Sequence, residues 1–268
     1  MIVNEIAHYG IPMNMLPAER QKRILARIQR DGRVVAADLA EEFRTSDDTI
    51  RRDLRDFAAQ GLCQRVYGGA LAISPASGPS ADRSQEASAR KAALGAALAA
   101  LIRPRQLVYI DTGSTNLAAA NALPEEASAT ICTHDPRIAA ALMDRPNISV
   151  TVIGGNIDRH VGAALGGHAL RTAANIRSDL LLLGVCALDA EAGIGVFNFE
   201  DAEMKRVLIE SAGSVAVALL NDKLGAAAPY LVGAAESISD LVVEIDAPDE
   251  RLAQFTRKGL RIHHAAPA

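Results

Sequence analysis

Ser46-Asp47-Asp48-Thr49-Ile50-Arg51-Arg52-Asp53-Leu54 decides how the first part of this chain folds. Ser46 offers a side-chain oxygen to the free N–H groups of a helix start, and Asp47 and Asp48 place negative charge in the first turn, where the dipole favours it. Ile50, Leu54 and Phe57 recur at i, i+4 and i+7, so one face is apolar. Arg51, Arg52 and Arg55 fall largely away from that face. Gly61 ends the helix. Upstream, residues 18–30 carry Ile24, Leu25 and Ile28 at helical spacing among charges. Pro17 suits the first helical position and Asp31-Gly32 the stop. Arg33-Val34-Val35 reads as a short extended piece. Residues 36–43 read as a second helix with Leu39, Ala40 and Phe43 inward. Downstream, residues 62–71 read as two short strands around Gly68-Gly69, a hairpin signal.

Three short helices and a glycine-tipped hairpin suit a duplex: the third helix enters the major groove and the hairpin touches the adjacent backbone. Arg51, Arg52 and Arg55 can pair with phosphates or guanine edges. Thr45, Ser46 and Thr49 are small donors near the helix start. Arg65 and the backbone of Gly68 and Gly69 suit close approach to the sugar-phosphate chain. On charge alone, a solvated face with local pairs such as Asp48–Arg52 explains the same residues. Residues 1–73 hold 11 Lys+Arg against 10 Asp+Glu, a surplus of only +1.

The wording of residues 20–30, 38–40, 45–54 and 65–70 resembles the N-terminal winged helix-turn-helix of the DeoR-type transcriptional regulators. The resemblance implies that the Ser46–Leu54 stretch is the recognition helix. It implies that Arg65-Val66-Tyr67-Gly68-Gly69-Ala70 is the wing, with Tyr67 in place of a frequent His. A phosphate-rich partner also agrees with the charge distribution. The whole chain of 268 residues is at −4, but residues 74–268 carry 17 Lys+Arg against 22 Asp+Glu, so the acidity lies mainly outside residues 1–73. With so small a basic surplus per head, useful affinity requires two or more heads on one operator.

Composition excludes other classes. Hydrophobic residues make up 49% and charged residues 22% of a chain with no Trp, which describes a globular, aliphatic and alanine-rich protein. Cys63, Cys132 and Cys186 form neither a CxxC pair nor a disulfide framework, which suggests a reducing compartment. The longest apolar runs, residues 92–102 and 180–188, are interrupted by glycine and far short of the roughly 20 residues that span a bilayer. No export signal is evident, so a soluble cytoplasmic protein is expected. Residues 1–16 show no periodicity and are read as an extension, with Met13 or Met15 a candidate start. The expected domains are 17–73 for DNA binding, 74–88 as a Ser-, Pro- and Ala-rich linker, and 89–268 for the remainder.

Beyond the linker, strands alternate with helices. Strands are expected at 107–111, 129–133, 148–153, 179–186, 214–220 and 241–245, and helices at 86–102, 136–143 and 200–212. That alternation implies an α/β domain with a mainly parallel sheet. Glycine-containing loops follow several strands: Asp111-Thr112-Gly113-Ser114-Thr115, Thr133-His134-Asp135, Gly154-Gly155, Gly166-Gly167 and Asn221-Asp222-Lys223. Such a loop before a helix suits an anion, although an ordinary capped turn has the same wording. Asn198 precedes Glu200, Asp201, Glu203 and Lys205 at another helix start. His134 with Asp135 lacks the further donors a metal needs. His160 and His168 are too scattered to nominate, and His263-His264 reads as a polar tail.

Residues 86–268 resemble the DeoR-type effector domain, which has the ribose-5-phosphate-isomerase-like fold and usually senses a phosphorylated sugar. The resemblance implies that one pocket is lined by Asp111, Gly113, Ser114, Thr115, Thr133, His134, Asp135, Gly154, Gly155, Asn198, Glu200, Glu203, Lys205 and Lys223. Lys205 and Lys223 are the natural phosphate or carboxylate partners. Three places depart from the family pattern. His134 stands where Asn is usual, Val185-Cys186-Ala187 replaces a stretch with a polar residue and a second Gly, and Leu220 replaces an Asp. A less polar or differently hydroxylated effector, or weakened binding, follows equally from these changes. The expected protein is a repressor of a carbohydrate or polyol catabolic operon. Its expected partners are double-stranded operator DNA, a small sugar-type effector and further copies of itself. No catalytic residue, metal or cofactor is expected. The alternatives are an isomerase-like enzyme using Asp111, Glu200 or Lys205 as acid and base, and a DNA-bound protein that has lost ligand sensing.

Overall fold

A computed structural model describes residues 15–76 and 88–267. The expected N-terminal extension, apart from its last two residues, and most of the expected linker lie outside these. The chain divides into two compact units at Ala70/Leu71.

The first unit opens with α1 (Pro17–Asp31), which stops where Gly32 takes the left-handed conformation at φ 75°. There follow β1 (Arg33–Val35), α2 (Ala36–Glu42), α3 (Asp47–Ala59), β2 (Cys63–Val66) and β3 (Gly69–Ala72). The strands form one sheet in the order β1-β3-β2. Ile24 and Ile28 of α1, Leu39 of α2, and Ile50, Leu54 and Phe57 of α3 are buried together as the apolar spacing requires. One polar group joins them. Asp53, 3% exposed, accepts from Arg20 Nε at 2.7 Å and Gln21 Nε2 at 2.8 Å, which fixes α3 against α1.

The second unit is built on seven parallel strands: β4 (Leu107–Ile110), β5 (Ala129–Thr133), β6 (Ile148–Val152), β9 (Leu180–Leu183), β12 (Val215–Ala218), β14 (Asp240–Val243) and β15 (Arg261–His264). Their spatial order is β15-β14-β12-β9-β4-β5-β6. The central strands are buried on both sides, whereas the edge strands β6 and β15 are partly exposed. Tyr109, Leu181, Leu183, Val215, Val217, Leu241 and Val243 enter one core. Val108, Ile110, Leu180, Leu182, Ala216 and Val242 enter the other. That is why these segments read as continuous apolar runs rather than alternating ones. Helices α4 (Ser88–Ala99), α5 (Ser114–Asn121) and α6 (Pro136–Leu142) supply the second core, through residues such as Leu94, Ala119 and Ile138. Helices α7 (Gly167–Ala173), α8 (Phe199–Ser211) and α9 (Asp249–Arg257) supply the first, through Ala169, Met204 and Phe255.

Two expectations are corrected. His263-His264 is not a tail: it ends the edge strand β15, where His263 Nε2 lies 2.7 Å from Asp240 Oδ1. The sheet is also accompanied by small antiparallel pieces that the sequence did not announce. The strands β10 (Ala187–Asp189), β11 (Gly193–Val196) and β13 (Tyr230–Gly233) form one sheet, and β7 (Asn156–Asp158) pairs with β8 (Ala163–Leu165). Strands of three or four residues with glycine among them are too short to show a period.

Removing Asp53 would leave the Arg20 guanidinium without its carboxylate at a nearly closed contact. Asp53→Ala is expected to destabilise the first unit by about 3 kcal/mol, read from its urea transition in the full chain.

Candidate functional site

On the first unit, the candidate surface is the exposed side of α3 and the turn between β2 and β3. Ser46 caps α3, its Oγ accepting from Thr49 N at 3.2 Å and lying 2.8 Å from Thr49 Oγ1. Arg51 is exposed and pairs with Asp47 along the helix, Nε to Oδ2 at 2.5 Å. Arg52 and Arg55 are exposed and, among the described residues, have no ion-pair partner. The expected local pair Asp48–Arg52 is thus replaced by Asp47–Arg51. Thr45 is half-buried. In the wing, Arg65 is exposed and Tyr67 fully so. Gly68 takes φ 81°, and a Cβ on Gly69 would stand 1.9 Å from Val34 O. Glycine lets the hairpin lie directly on β1, where Ala36 N donates to Gly68 O at 2.7 Å.

In the second unit, the strand order reverses between β4 and β9. Open parallel sheets collect ligands at the carboxyl ends of such neighbours. A cleft of about 310 Å³ opens there. Among its lining residues are Gly113, Ser114 and Thr115 at the start of α5, Gly184 after β9, Asn198, Asp201 and Lys205 on α8 and its cap, and Lys223. Asn116 ties the strands together beneath it, its Nδ2 donating to Asp111 O at 2.9 Å and Leu182 O at 3.0 Å. Gly184 N donates to Asp111 Oδ2 at 2.8 Å. A Cβ at Gly184 would stand 2.0 Å from Thr112 O, so only glycine permits the two loops to meet.

The floor of the cleft is charged. Lys205, 2% exposed, places Nζ 2.7 Å from Asp111 Oδ2 and 2.9 Å from Asp201 Oδ1. Burial opposes its charge, but the two carboxylates hold its ammonium above the ordinary lysine range. Burial raises Asp111 and Asp201, and Lys205 partly offsets that rise. His134 is also fully buried. Its Nδ1 lies 3.1 Å from the Tyr109 hydroxyl and its Nε2 3.6 Å from Asp111 Oδ1. Burial, then the Lys205 charge, push its pKa down to about 4, so the ring is neutral near pH 7.

The expected pocket residues therefore divide. Gly113, Ser114, Thr115, Asn198, Lys205 and Lys223 line the cleft. Asp111 lies beneath it, wholly buried. Thr133, His134 and Asp135 are also wholly buried, and they build a turn instead. Thr133 Oγ1 accepts from Asp135 N, Asp135 caps α6 through Arg137 N, and Thr112 Oγ1 donates to Asp135 Oδ2. Gly154 and Gly155 are exposed in the connection to β7 and do not line the cleft. Glu200 is exposed and Glu203 pairs with Arg206, so α8 turns both away from the lining. The acid–base set of the enzyme alternative is likewise dispersed, with Asp111 and Lys205 locked together and Glu200 outside.

Several lining residues were not anticipated. His160 and Val161 arrive because Asp158 Oδ1 accepts both of their N–H groups, a local turn. Val185, Cys186, Phe197 and Ala218 add an apolar component. Asp201, a favourable charge at a helix start, also lines the cleft. Its second role follows from spacing, since Asp201 and Lys205 are i and i+4 on one face.

A family model described as the DeoR-like helix-turn-helix domain matches residues 20–76, and one described as the DeoR C terminal sensor domain matches residues 86–244. The chain belongs to the DeoR family of transcriptional regulators. Relatives are similar along most of its length. The HTH-type transcriptional regulator GlpR of Haloferax volcanii is 33% identical, covering 79% of this chain and 83% of its own. A putative aga operon transcriptional repressor of Escherichia coli O157:H7 is 28% identical over 91% and 93%. The glycerol-3-phosphate regulon repressor of Escherichia coli K12 is 28% identical over 87% and 92%. Among solved structures, the sorbitol operon regulator SorC of Klebsiella pneumoniae aligns over 91% of this chain and 96% of its own, at 12% identity and TM-score 0.38. This DeoR-family member is a DNA-binding transcriptional repressor, with an N-terminal winged helix-turn-helix and an α/β sensor domain on a parallel sheet. No helix among the described residues is long and apolar enough to cross a membrane.

Two outcomes follow from the buried cluster. Lys205→Ala leaves two carboxylates buried without their cation and is expected to cost the sensor domain about 3–5 kcal/mol in chemical denaturation. For His134, the folded pKa near 4 lies below the unfolded value near 6.5. The unfolded chain then binds the extra proton first, so stability falls as pH drops from about 6.5 toward 4. His134→Gln is expected to remove that component, seen as a flatter dependence than wild type over this window.

Proposed function

We propose that this repressor controls a carbohydrate or polyol catabolic operon and is released by a small phosphorylated sugar-type metabolite held in the sensor cleft. It acts in the cytoplasm as a dimer or larger homo-oligomer on operator DNA. The observation that carries this reading is the cleft at the β4–β9 reversal, where the N-terminus of α5 and Lys223 line one cavity. Free N–H groups at a helix start and a lysine suit a phosphate. Asn198 and Asp201 offer a donor and an acceptor to sugar hydroxyls. Lys205 lines the same cleft with its ammonium between Asp111 and Asp201, so Lys223 is the lysine assigned to the phosphate. The name of one relative, a glycerol-3-phosphate regulon repressor, supports a phosphorylated ligand.

On the DNA side, Arg51, Arg52 and Arg55 of α3 read the major groove, Thr45, Ser46 and Thr49 seat its N-terminus, and the wing residues Arg65, Tyr67, Gly68 and Gly69 follow the backbone. The effector must bind the operator-competent and incompetent arrangements with different affinity, or nothing switches.

Gel shifts with the DNA upstream of the regulated genes test the first half. Specific retardation is expected, and its absence at every salt concentration would sink the reading. Arg52→Ala is expected to weaken operator binding by about 1–3 kcal/mol and to relax preference at one base pair. For the second half, thermal shift with glycerol 3-phosphate and hexose phosphates is expected to show stabilisation, by about 2.7 kcal/mol at a hundredfold excess over Kd. The unphosphorylated polyols are expected to give less, and Lys223→Ala to erase the difference.

A further inference from the structure

The stretch that ends the last wing strand and follows it runs to the wall of the cleft, where Ala76 lines it. Ala72 O accepts from Ala227 N at 3.0 Å and Ser74 N donates to Ala227 O at 2.9 Å, so this stretch pairs with the segment after Lys223 like a short parallel strand. Ser74 Oγ donates to Cys186 O at 2.5 Å and accepts from Ala76 N at 3.2 Å. Ser74 is 2% exposed and Ala76 7%. Ala76 lines the cleft together with Val185, Cys186 and Lys223. Among its contacts, Lys223 Nζ reaches Val185 O at 3.4 Å. Two successive carbonyls of one cleft loop are thus held from two directions, Val185 by Lys223 and Cys186 by Ser74.

We propose that residues 72–76 form a ligand-responsive strap, in which occupancy of the cleft releases Ser74 from the Cys186 carbonyl and thereby changes operator binding. The proposal rests on reading the cleft as the effector site. An anion that engages Lys223 competes with the Val185 carbonyl for the ammonium. The loop then re-orients its next peptide, and that peptide carries the acceptor of Ser74. Three residues separate Ala72, the end of β3, from Ala76 in the cleft wall, so the strap is short. A buried hydroxyl that loses its acceptor must find another partner or move, which makes the strap two-state rather than continuously adjustable.

Ser74→Ala in the full chain removes the hydroxyl and keeps both backbone bonds to Ala227. Without ligand, fluorescence anisotropy on operator DNA is expected to show at least a threefold change in Kd, with Ser74→Thr restoring the wild-type value. With glycerol 3-phosphate as the probe, the variant is expected to bind it within twofold of wild type by calorimetry. The probe is expected to shift the variant's operator Kd by no more than a third of the wild-type shift. An unchanged operator Kd without ligand, or a full ligand response, would overturn the strap. If the wild type binds no probe, the effector reading fails and the ligand-free arm alone decides the strap. Hydrogen exchange on the wild type is independent of any variant: bound glycerol 3-phosphate is expected to speed exchange at the Ser74 amide, which donates to Ala227 O, and unchanged exchange with the probe bound overturns the strap.

Discussion

Lys205 projects from α8 into the sensor domain and meets Asp111, at the end of β4, and Asp201, one turn earlier on its own helix. The other features of the cleft depend on this contact. A lysine buried to this degree is stable only if its charge is answered. Two carboxylates answer it, and burial alone would drive both toward their neutral forms. Asp111 also accepts from Gly184 N, so the same carboxylate holds the loop after β9 against the loop after β4. The cluster therefore sets the geometry of the switch point and holds the Lys205 ammonium between two carboxylates.

The consequence for recognition is a division of labour across the cleft. Fixed charge lies below, in the Lys205 cluster, with neutral His134 and Tyr109 behind it. Groups able to respond to a ligand lie at the rim: the start of α5, Asn198, and Lys223 in the short turn after β12. The winged helix follows a related plan. Asp53 is committed to Arg20 and Gln21 and orients α3, whereas Arg52 and Arg55 on the outer face keep no partner among the described residues and are available to DNA.

Much of this was legible in the sequence, and for identifiable reasons. Ile50, Leu54 and Phe57 announce α3 because a single helix face must be apolar. Ser46 announces its start because one side-chain oxygen suffices to cap it. The parallel sheet was legible in runs such as Leu180–Leu183, since strands covered on both faces have no polar side. Several of the glycine loops lie at the cleft, at the carboxyl ends of the strands. Others do not line it. Thr133-His134-Asp135 has polar side chains suited to a ligand, yet each is spent on the turn before α6 and on the buried cluster. Gly154-Gly155 follows β6, at the far edge from the reversal, so it never reaches the cleft.

By itself the sequence determined the elements, their order and the chemistry available at each loop, because capping, periodicity and glycine tolerance act over a few residues. Only the tertiary structure decided which polar groups remain available. Lys205 and Lys223 look equivalent as sequence, but Lys205 is buried between Asp111 and Asp201, whereas Lys223 is half-buried in the cleft wall and reaches Val185 O among its contacts. Ser74 and Ala76 read as the start of a linker. Ser74 is held, and Ala76 is brought to the cleft wall, because Ala227 and Cys186, more than a hundred residues away, present the carbonyls that Ser74 bonds. Local rules carry no information about such partners, whose effect is set by distance and dielectric rather than by spacing along the chain.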